Sequence, residues 1–186
     1  LGEPDFNTPK FIKDAAINAV NDNWNSYSPV DGYLDLKAAI CNKFKRDNGI
    51  SYESSQIVVS TGAKQSIANV CMVLLNPGDE VLLPAPYWVS YSAIATLAEA
   101  ESKIIPTSID TDFKITPEQL ENSINSKTKL VMFNSPNNPS GTIYTENELR
   151  ALGKVLEKYP NIYILSDEIY EHINYGTPHF SIASIP

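Results

Sequence analysis

Arginine, histidine, cysteine, methionine and tryptophan are scarce in this sequence, each occurring twice in 186 residues. Two cysteines, Cys41 and Cys71, each set in an apolar helical pattern, exclude a disulfide scaffold and lack the close spacing of a metal site. They read as buried structural thiols in a reducing compartment. His172 and His179 show no metal-ligand spacing either, and a structural or solvated place is expected for both. Basic residues are outnumbered, 14 against 22 acidic, and the formal net charge of -8 is spread along the chain. That balance excludes nucleic acid or an anionic membrane as the main partner. No apolar run approaches the ~20 residues needed to cross a bilayer, and no charged-then-apolar leader opens the chain. A cytoplasmic protein acting on a small molecule is the expectation. What is present is ordinary for one globular unit: 42% hydrophobic and 19% charged residues, with no repeat and no low-complexity linker. The first residue is Leu1 and the last are Ile185-Pro186, so the chain reads as a piece of something longer.

Helical and strand patterns alternate along it. Residues Pro9 to Asp22 place Ile12, Ala16, Ala19 and Val20 on one face, and Leu36, Ala39, Ile40 and Phe44 repeat at helical spacing before Asn48-Gly49. Ile57-Val58-Val59 reads as a short buried strand, followed by the tight turn Ser60-Thr61-Gly62-Ala63 and a helix from Lys64 to about Leu75. Val81 to Leu83 is the next strand, Trp88 to Ala98 a helix and Lys103 to Pro106 a strand. Thr116-Pro117-Glu118-Gln119 combines an N-cap, a first-turn proline and a capping-box glutamine, so a helix starts there. Strand Lys129 to Phe133 leads into the loop Asn134 to Gly141. A second capping box, Thr145 to Glu148, opens a helix burying Leu149, Leu152, Leu156 and Tyr159, and strand Tyr163 to Leu165 delivers Ser166-Asp167-Glu168. Short apolar strands alternating with helices of ten or more residues predict an α/β fold: a mostly parallel sheet covered on both faces, in three α/β/α layers.

In such sheets ligands bind beyond the carboxyl ends of the strands, and three of those ends are chemically loaded. Ser60 to Lys64 sets the free N–H groups of a helix start beside a lysine, which suits a phosphate; the spacing is not that of a Walker A loop, and a plain strand-to-helix turn is the alternative. Asn134 to Gly141 holds side-chain amides between prolines, or is merely a rigid connection. Asp167 follows a strand with the phenol of Tyr170 next along the turn, although an aspartate there is often just a cap. Taken together, a phosphate cradle, amide and phenol donors and a buried anion are the equipment for a phosphorylated aromatic cofactor.

On these motifs, with Gly2-Glu3-Pro4-Asp5-Phe6 and Pro86-Tyr87-Trp88, the chain resembles the fold-type I, class I/II aminotransferases that use pyridoxal 5'-phosphate (PLP). The resemblance runs through nearly all of it. It implies that Asp167 pairs with the pyridine nitrogen and keeps it protonated, making the ring an electron sink. It implies that Asn138 and Tyr170 donate to the cofactor's phenolic oxygen, that Trp88 stacks on the ring, and that Gly62, Ala63 and Lys64 receive the phosphate. Tyr27 would reach the phosphate of the neighbouring subunit in a homodimer, and Gly2 would touch the substrate's α-carboxylate, with Lys64, Trp88 and Asn138 completing the substrate side. The Gly-Ala-Lys-Gln form of the phosphate turn resembles the bacterial aspartate-type subgroup, where this lysine meets a distal carboxylate; a solvated lysine is the competing reading. The expected substrates are an L-amino acid, acidic for preference, and a 2-oxo acid such as 2-oxoglutarate.

The departures are equally specific. The family's Schiff-base lysine lies beyond the Asp-x-x-Tyr motif, whereas the last lysine here is Lys158. The arginine that clamps the α-carboxylate comes later still, and Arg46 and Arg150 sit on helices with no motif around them. No residue of the chain takes the catalytic lysine's role, so the chain alone is expected not to transaminate. Residues 1–30 read as an N-terminal segment near the active site and dimer interface, and 31–186 as part of the PLP-binding large domain, with the rest of that domain and a small domain missing. Two alternatives share the motifs: another fold-type I PLP enzyme, such as a carbon-sulfur lyase or a synthase, and the aminotransferase-like effector domain of a transcription regulator.

Overall fold

Runs of branched and aliphatic residues form one parallel sheet in the computed structural model, which describes residues 5–186. Its strands are β1 (Glu80–Ala85), β2 (Glu101–Pro106), β3 (Thr128–Asn134) and β4 (Tyr163–Asp167), in the order β2-β1-β3-β4. Helices α1 (Lys10–Asn21), α2 (Leu34–Lys43), α3 (Ala63–Leu74), α4 (Ser90–Leu97), α5 (Pro117–Ser123) and α6 (Glu146–Leu156) surround or precede it. The inner strands are near-continuous buried runs, as strands covered on both faces must be: Val81 to Leu83 and Leu130 to Phe133 are all buried. Strand period two divides them between the layers. Val81, Leu83, Leu130 and Met132 pack with Ile67 and Cys71 of α3 and Tyr91 and Ile94 of α4. Leu82, Val131 and Phe133 pack on the other face with Leu120 of α5 and Leu149 and Leu152 of α6. The expected three-layer α/β/α architecture is therefore present.

Both capping boxes form. Thr116 Oγ1 accepts from the Gln119 N–H at 3.2 Å while Gln119 Oε1 accepts from the Thr116 N–H at 2.9 Å. Thr145 and Glu148 repeat the exchange at 3.3 and 2.7 Å.

Four expectations need correction. Ile57-Val58-Val59 is not a strand of the sheet: Val59 N–H instead donates to the Asp31 carbonyl at 3.1 Å, and Val58 is largely exposed. The helix at 10–21 forms but buries none of its residues, because nothing among the described residues covers its apolar stripe. Helices α4 and α5 are shorter than ten residues, at 8 and 7. Tyr159 packs against the core from beyond the end of α6.

From β1 the chain moves outward to β2, and then returns past β1 to β3 and on to β4. The connections diverge between β1 and β3, which opens a crevice at the carboxyl ends of these strands. Pro86 to Trp88, Asn134 to Gly141 and Asp167 to Tyr170 all lie along that edge.

Candidate active site

Asp167 is the last residue of β4 and is buried, so its carboxylate must be met by donors. Oδ2 accepts from the Tyr91 hydroxyl at 2.7 Å, and Oδ1 accepts from the Ile169 N–H at 3.1 Å, which closes a turn immediately after the strand. Tyr91 comes from the first part of α4 and is fully buried. Burial, and then the neighbouring Asp167 charge, push its phenol well above the ordinary tyrosine range, so it stays a neutral donor.

The backbone of Asp167 is held as firmly as its side chain. Its carbonyl accepts from the Asn134 side-chain amide at 2.8 Å and from the Ser135 N–H at 3.1 Å. Asn134 faces both ways: its Oδ1 accepts from the Asn138 N–H at 2.6 Å. One buried amide thus sets the strand end and the Asn138 loop in register. The loop closes on itself, with Asn137 Oδ1 accepting from the Ser140 N–H at 3.0 Å and the Asn137 N–H donating to the Thr142 carbonyl at 2.9 Å. Asn137 Nδ2 reaches the Pro86 carbonyl at 3.4 Å and ties the loop to the segment after β1. The loop that the sequence marks by its amides and prolines is therefore a clamp between β1 and β4.

Around this clamp stand groups with unspent hydrogen-bonding capacity. Among the described residues the side-chain amide of Asn138 and the hydroxyl of Tyr170 have no hydrogen-bond partner, although both residues are partly buried. Gly62, at φ +87° where L side chains are rarely found, caps the start of α3. The N–H groups of Ala63 and Lys64 lie in the first turn of that helix, where no intrahelical acceptor exists. Lys64 Nζ sits 4.8 Å from the Trp88 ring centroid, and Trp88 packs edge-to-face on Tyr91 at 5.6 Å. One chain of contacts thus runs from the α3 start through Lys64, Trp88 and Tyr91 to Asp167.

The residue groups singled out from the sequence therefore meet, with two exceptions. Tyr27 is fully exposed, and Gly2 lies outside the described residues. Tyr91 and Asn134 escaped the sequence reading. Asn134 opens the loop Asn134 to Gly141, but nothing in the local sequence distinguishes it from Asn137 and Asn138. Arg46 pairs with Asp47, and Arg150 with Glu146, on the surface. His179 is buried and touches Glu168 at 3.2 Å, whereas His172 is exposed. Asp47, Glu171 and His172 bring ligand-type atoms within 4.8 Å of one another, but Arg46 and Lys43 already engage the two carboxylates.

The family model for "Aminotransferase class I and II" matches residues 1–185. The chain belongs to the class I and II aminotransferases. It is 51% identical over 172 residues to an aspartate/prephenate aminotransferase of Nitrosomonas europaea, covering 92% of this chain and 43% of that protein. It is 46% identical over 186 residues to a bifunctional aspartate aminotransferase and glutamate/aspartate-prephenate aminotransferase of Petunia hybrida, covering 39% of that protein. The crystal structure of an aspartate aminotransferase from Rhizobium meliloti superposes with a TM-score of 0.98 at 43% identity, over the whole of this chain and 47% of that one. The chain thus spans less than half the length of these aminotransferase relatives.

The family implies PLP, and the donor set here fits it. The unspent amide of Asn138 and phenol of Tyr170, a helix start with orphan N–H groups, and a carboxylate at the far end match a ring that is anionic at its phosphate and phenolic oxygen and basic at its nitrogen. Among the described residues no helix is long and apolar enough to cross a membrane.

Proposed function

We propose that this chain is the cofactor-binding part of a PLP-dependent aminotransferase that moves an amino group between an acidic L-amino acid, aspartate for preference, and a 2-oxo acid such as 2-oxoglutarate or prephenate. One observation carries the reading: the buried Asp167 carboxylate stands at the same strand-end clamp that holds Asn138, whose side-chain amide is unspent, with Tyr170 three residues further along the chain. Asp167 would hold the pyridine nitrogen protonated, because an anion in a dry site favours the cationic partner. Asn138 and Tyr170 would donate to the phenolic oxygen, Trp88 would cover one face of the ring, and Gly62, Ala63 and Lys64 would receive the phosphate through N–H groups and the helix field. When bound, PLP supplies an electron sink for charge developing at the substrate's α carbon. Lys64, beside Trp88 and without a carboxylate partner among the described residues, is available to a second carboxylate on the substrate.

Residues 1–30 are proposed as the segment that meets a second subunit of a homodimer, with Tyr27 reaching that subunit's phosphate. The exposure of Phe11, Val20, Trp24 and Tyr27 supports it. Gly2 is proposed at the substrate's α-carboxylate, residues 31–186 as the large domain's share, and the cytoplasm as the compartment. Of the two thiols expected to be buried, Cys71 is buried and Cys41 is only half-buried.

The test is a PLP titration of the 186-residue chain, following tryptophan quenching, with Asp167→Ala as control, alongside aspartate–2-oxoglutarate and prephenate assays on the full-length protein. Saturable quenching lost in the variant, with amino transfer only in the full-length protein, is expected. A full-length protein that binds PLP yet moves no amino group from any acidic amino acid would overturn the reading.

A further inference from the structure

The segment that carries Tyr170 leaves β4 held by side chains rather than by a further strand. Its internal bonds are local turns: the Glu171 N–H donates to the Glu168 carbonyl at 3.0 Å and the Ile173 N–H to the Tyr170 carbonyl at 2.8 Å. Ile169 and Ile173 point to solvent, so no apolar anchor fixes it. Two side chains do: Glu168 Oε1 accepts from Ser181 Oγ at 2.8 Å and its Oε2 meets His179 Nε2 at 3.2 Å, and beyond Tyr170 Glu171 reaches the end of α2. Glu171 Oε2 accepts from Lys43 Nζ, and Oε1 accepts from Asn48 Nδ2 at 2.9 Å.

Lys43 and Asn48 are prepared for this contact by their own backbone. Lys43 ends α2, and the chain then widens into a π-helical turn, Phe44–Asn48, closed by Gly49 at φ +69°. The wider turn returns the Asn48 amide to Lys43, whose Nζ donates to Asn48 Oδ1 at 3.0 Å. The three side chains therefore bond pairwise in a closed triangle, and Ser184 Oγ donates to the Asn48 carbonyl at 3.0 Å behind it. Single π turns inside helices recur where a side chain must be placed for function. The Lys43 and Glu171 side chains are only 28% and 14% exposed, so solvent screens this pair far less than the surface pair of Lys10 and Asp14. Burial alone would push the Glu171 carboxyl up, and the Lys43 ammonium and Asn48 amide outweigh it, leaving the carboxyl below its usual range.

The triangle joins the end of α2 and its π turn to the segment after β4. What it fixes is the residue that directly follows Tyr170, at the far end of the turn that begins at Asp167. We propose that Glu171, gripped by Lys43 and Asn48, is a positioning residue that sets where the Tyr170 hydroxyl stands in the cofactor site. The proposal rests on the PLP reading above and adds a residue that touches neither cofactor nor substrate.

The experiment uses the full-length protein with PLP itself as the ligand. Glu171→Ala, Glu171→Gln, the charge swap Lys43→Glu with Glu171→Lys, and Tyr170→Phe are compared for PLP affinity and for the pH midpoint of the bound cofactor's visible absorption. A hydroxyl donating to the phenolic oxygen stabilises the more anionic form, so Tyr170→Phe raises that midpoint. Glu171→Ala is expected to raise it in the same direction, to weaken PLP binding on the order of tenfold, and to add little in the Tyr170→Phe background. Glu171→Gln, which keeps the Asn48 bond, lies between, and the swap recovers part of the loss. A folded Glu171→Ala protein with the wild-type midpoint, or one whose shift adds in full to that of Tyr170→Phe, overturns the proposal while leaving the PLP reading intact. Failure of the wild-type protein to bind PLP overturns the underlying reading, and the proposal with it.

Discussion

Replacing Tyr91 by phenylalanine removes one oxygen and keeps the ring that fills the space between α4 and the sheet. The oxygen lost is a buried donor 2.7 Å from a buried carboxylate, within the range of a charge-assisted bond. Hydrogen bonds to charged groups contribute about 1.5–3 kcal/mol. Oδ1 of Asp167 keeps its bond to the Ile169 N–H, so the lower half of that range applies, about 1.5–2 kcal/mol. Asp167→Ala strands the Tyr91 hydroxyl instead and is expected to cost about 2–3 kcal/mol. If the two losses share one bond, the double variant recovers roughly 1–2 kcal/mol relative to their sum. Urea unfolding of the purified protein, read as midpoint shifts at constant slope, measures all three. The phenol remains neutral across the accessible range, so the Tyr91→Phe loss should be the same at pH 7 and pH 9. A coupling below about 0.5 kcal/mol would refute the claim that this bond orients the carboxylate.

Other expectations follow from single observations. Tyr144 Oη accepts from the buried Ile115 N–H at 2.9 Å, so Tyr144→Phe orphans that donor and should lower stability by about 1–3 kcal/mol in the same unfolding assay. A Cβ at Gly62 meets no neighbouring atom within 4 Å, but Gly62→Val forces a β-branched residue to φ +87°; a loss of about 1–2 kcal/mol is expected, together with weaker PLP binding in the quenching titration. Glu148 and Glu171 both lie below the ordinary glutamate value of 4.5: burial opposes the shift in each, and Lys114 and Lys43 respectively outweigh it. Folded-state carboxyls that are depressed contribute stability above the unfolded value and lose it as pH falls through the folded one. Urea midpoints should therefore be steady above about pH 5 and fall below pH 4.5, less steeply in Glu171→Gln.

The parts of the fold visible in the sequence were those written locally. The capping boxes at Thr116 and Thr145 announced α5 and α6 because their partners lie within one turn. Buried runs at Val81 to Leu83 and Leu130 to Phe133 announced central strands because both faces are covered. Ile57 to Val59 carries the same apolar composition yet stays outside the sheet, since its backbone pairs with Asp31 rather than with a strand. Composition alone cannot choose between those partners. In the site, Asp167, Asn138 and the Gly62 turn were legible through motif and position. Tyr91 was not, because its partner lies 76 residues away and its own surroundings read as an ordinary helix. Asn134 was hidden by its neighbours, being one of three similar amides of which only burial picks out the pivot.

Placing Asp167 at the end of β4 has a consequence for the order in which the protein acquires its ligand. Among the described strands, β4 pairs with β3 alone, and β3 pairs in turn with β1. The contacts that complete the site are long-range, 76 residues for Tyr91 with Asp167 and 128 for Lys43 with Glu171. Closing such loops is slow relative to forming the helices between them. The contacts around Asp167 are thus expected to form after the helices they join. A ligand that binds only the assembled site, as proposed here for PLP, would then act as a proofreading signal, adding RT ln(1 + [L]/Kd) to the stability of chains in which those pairings have succeeded.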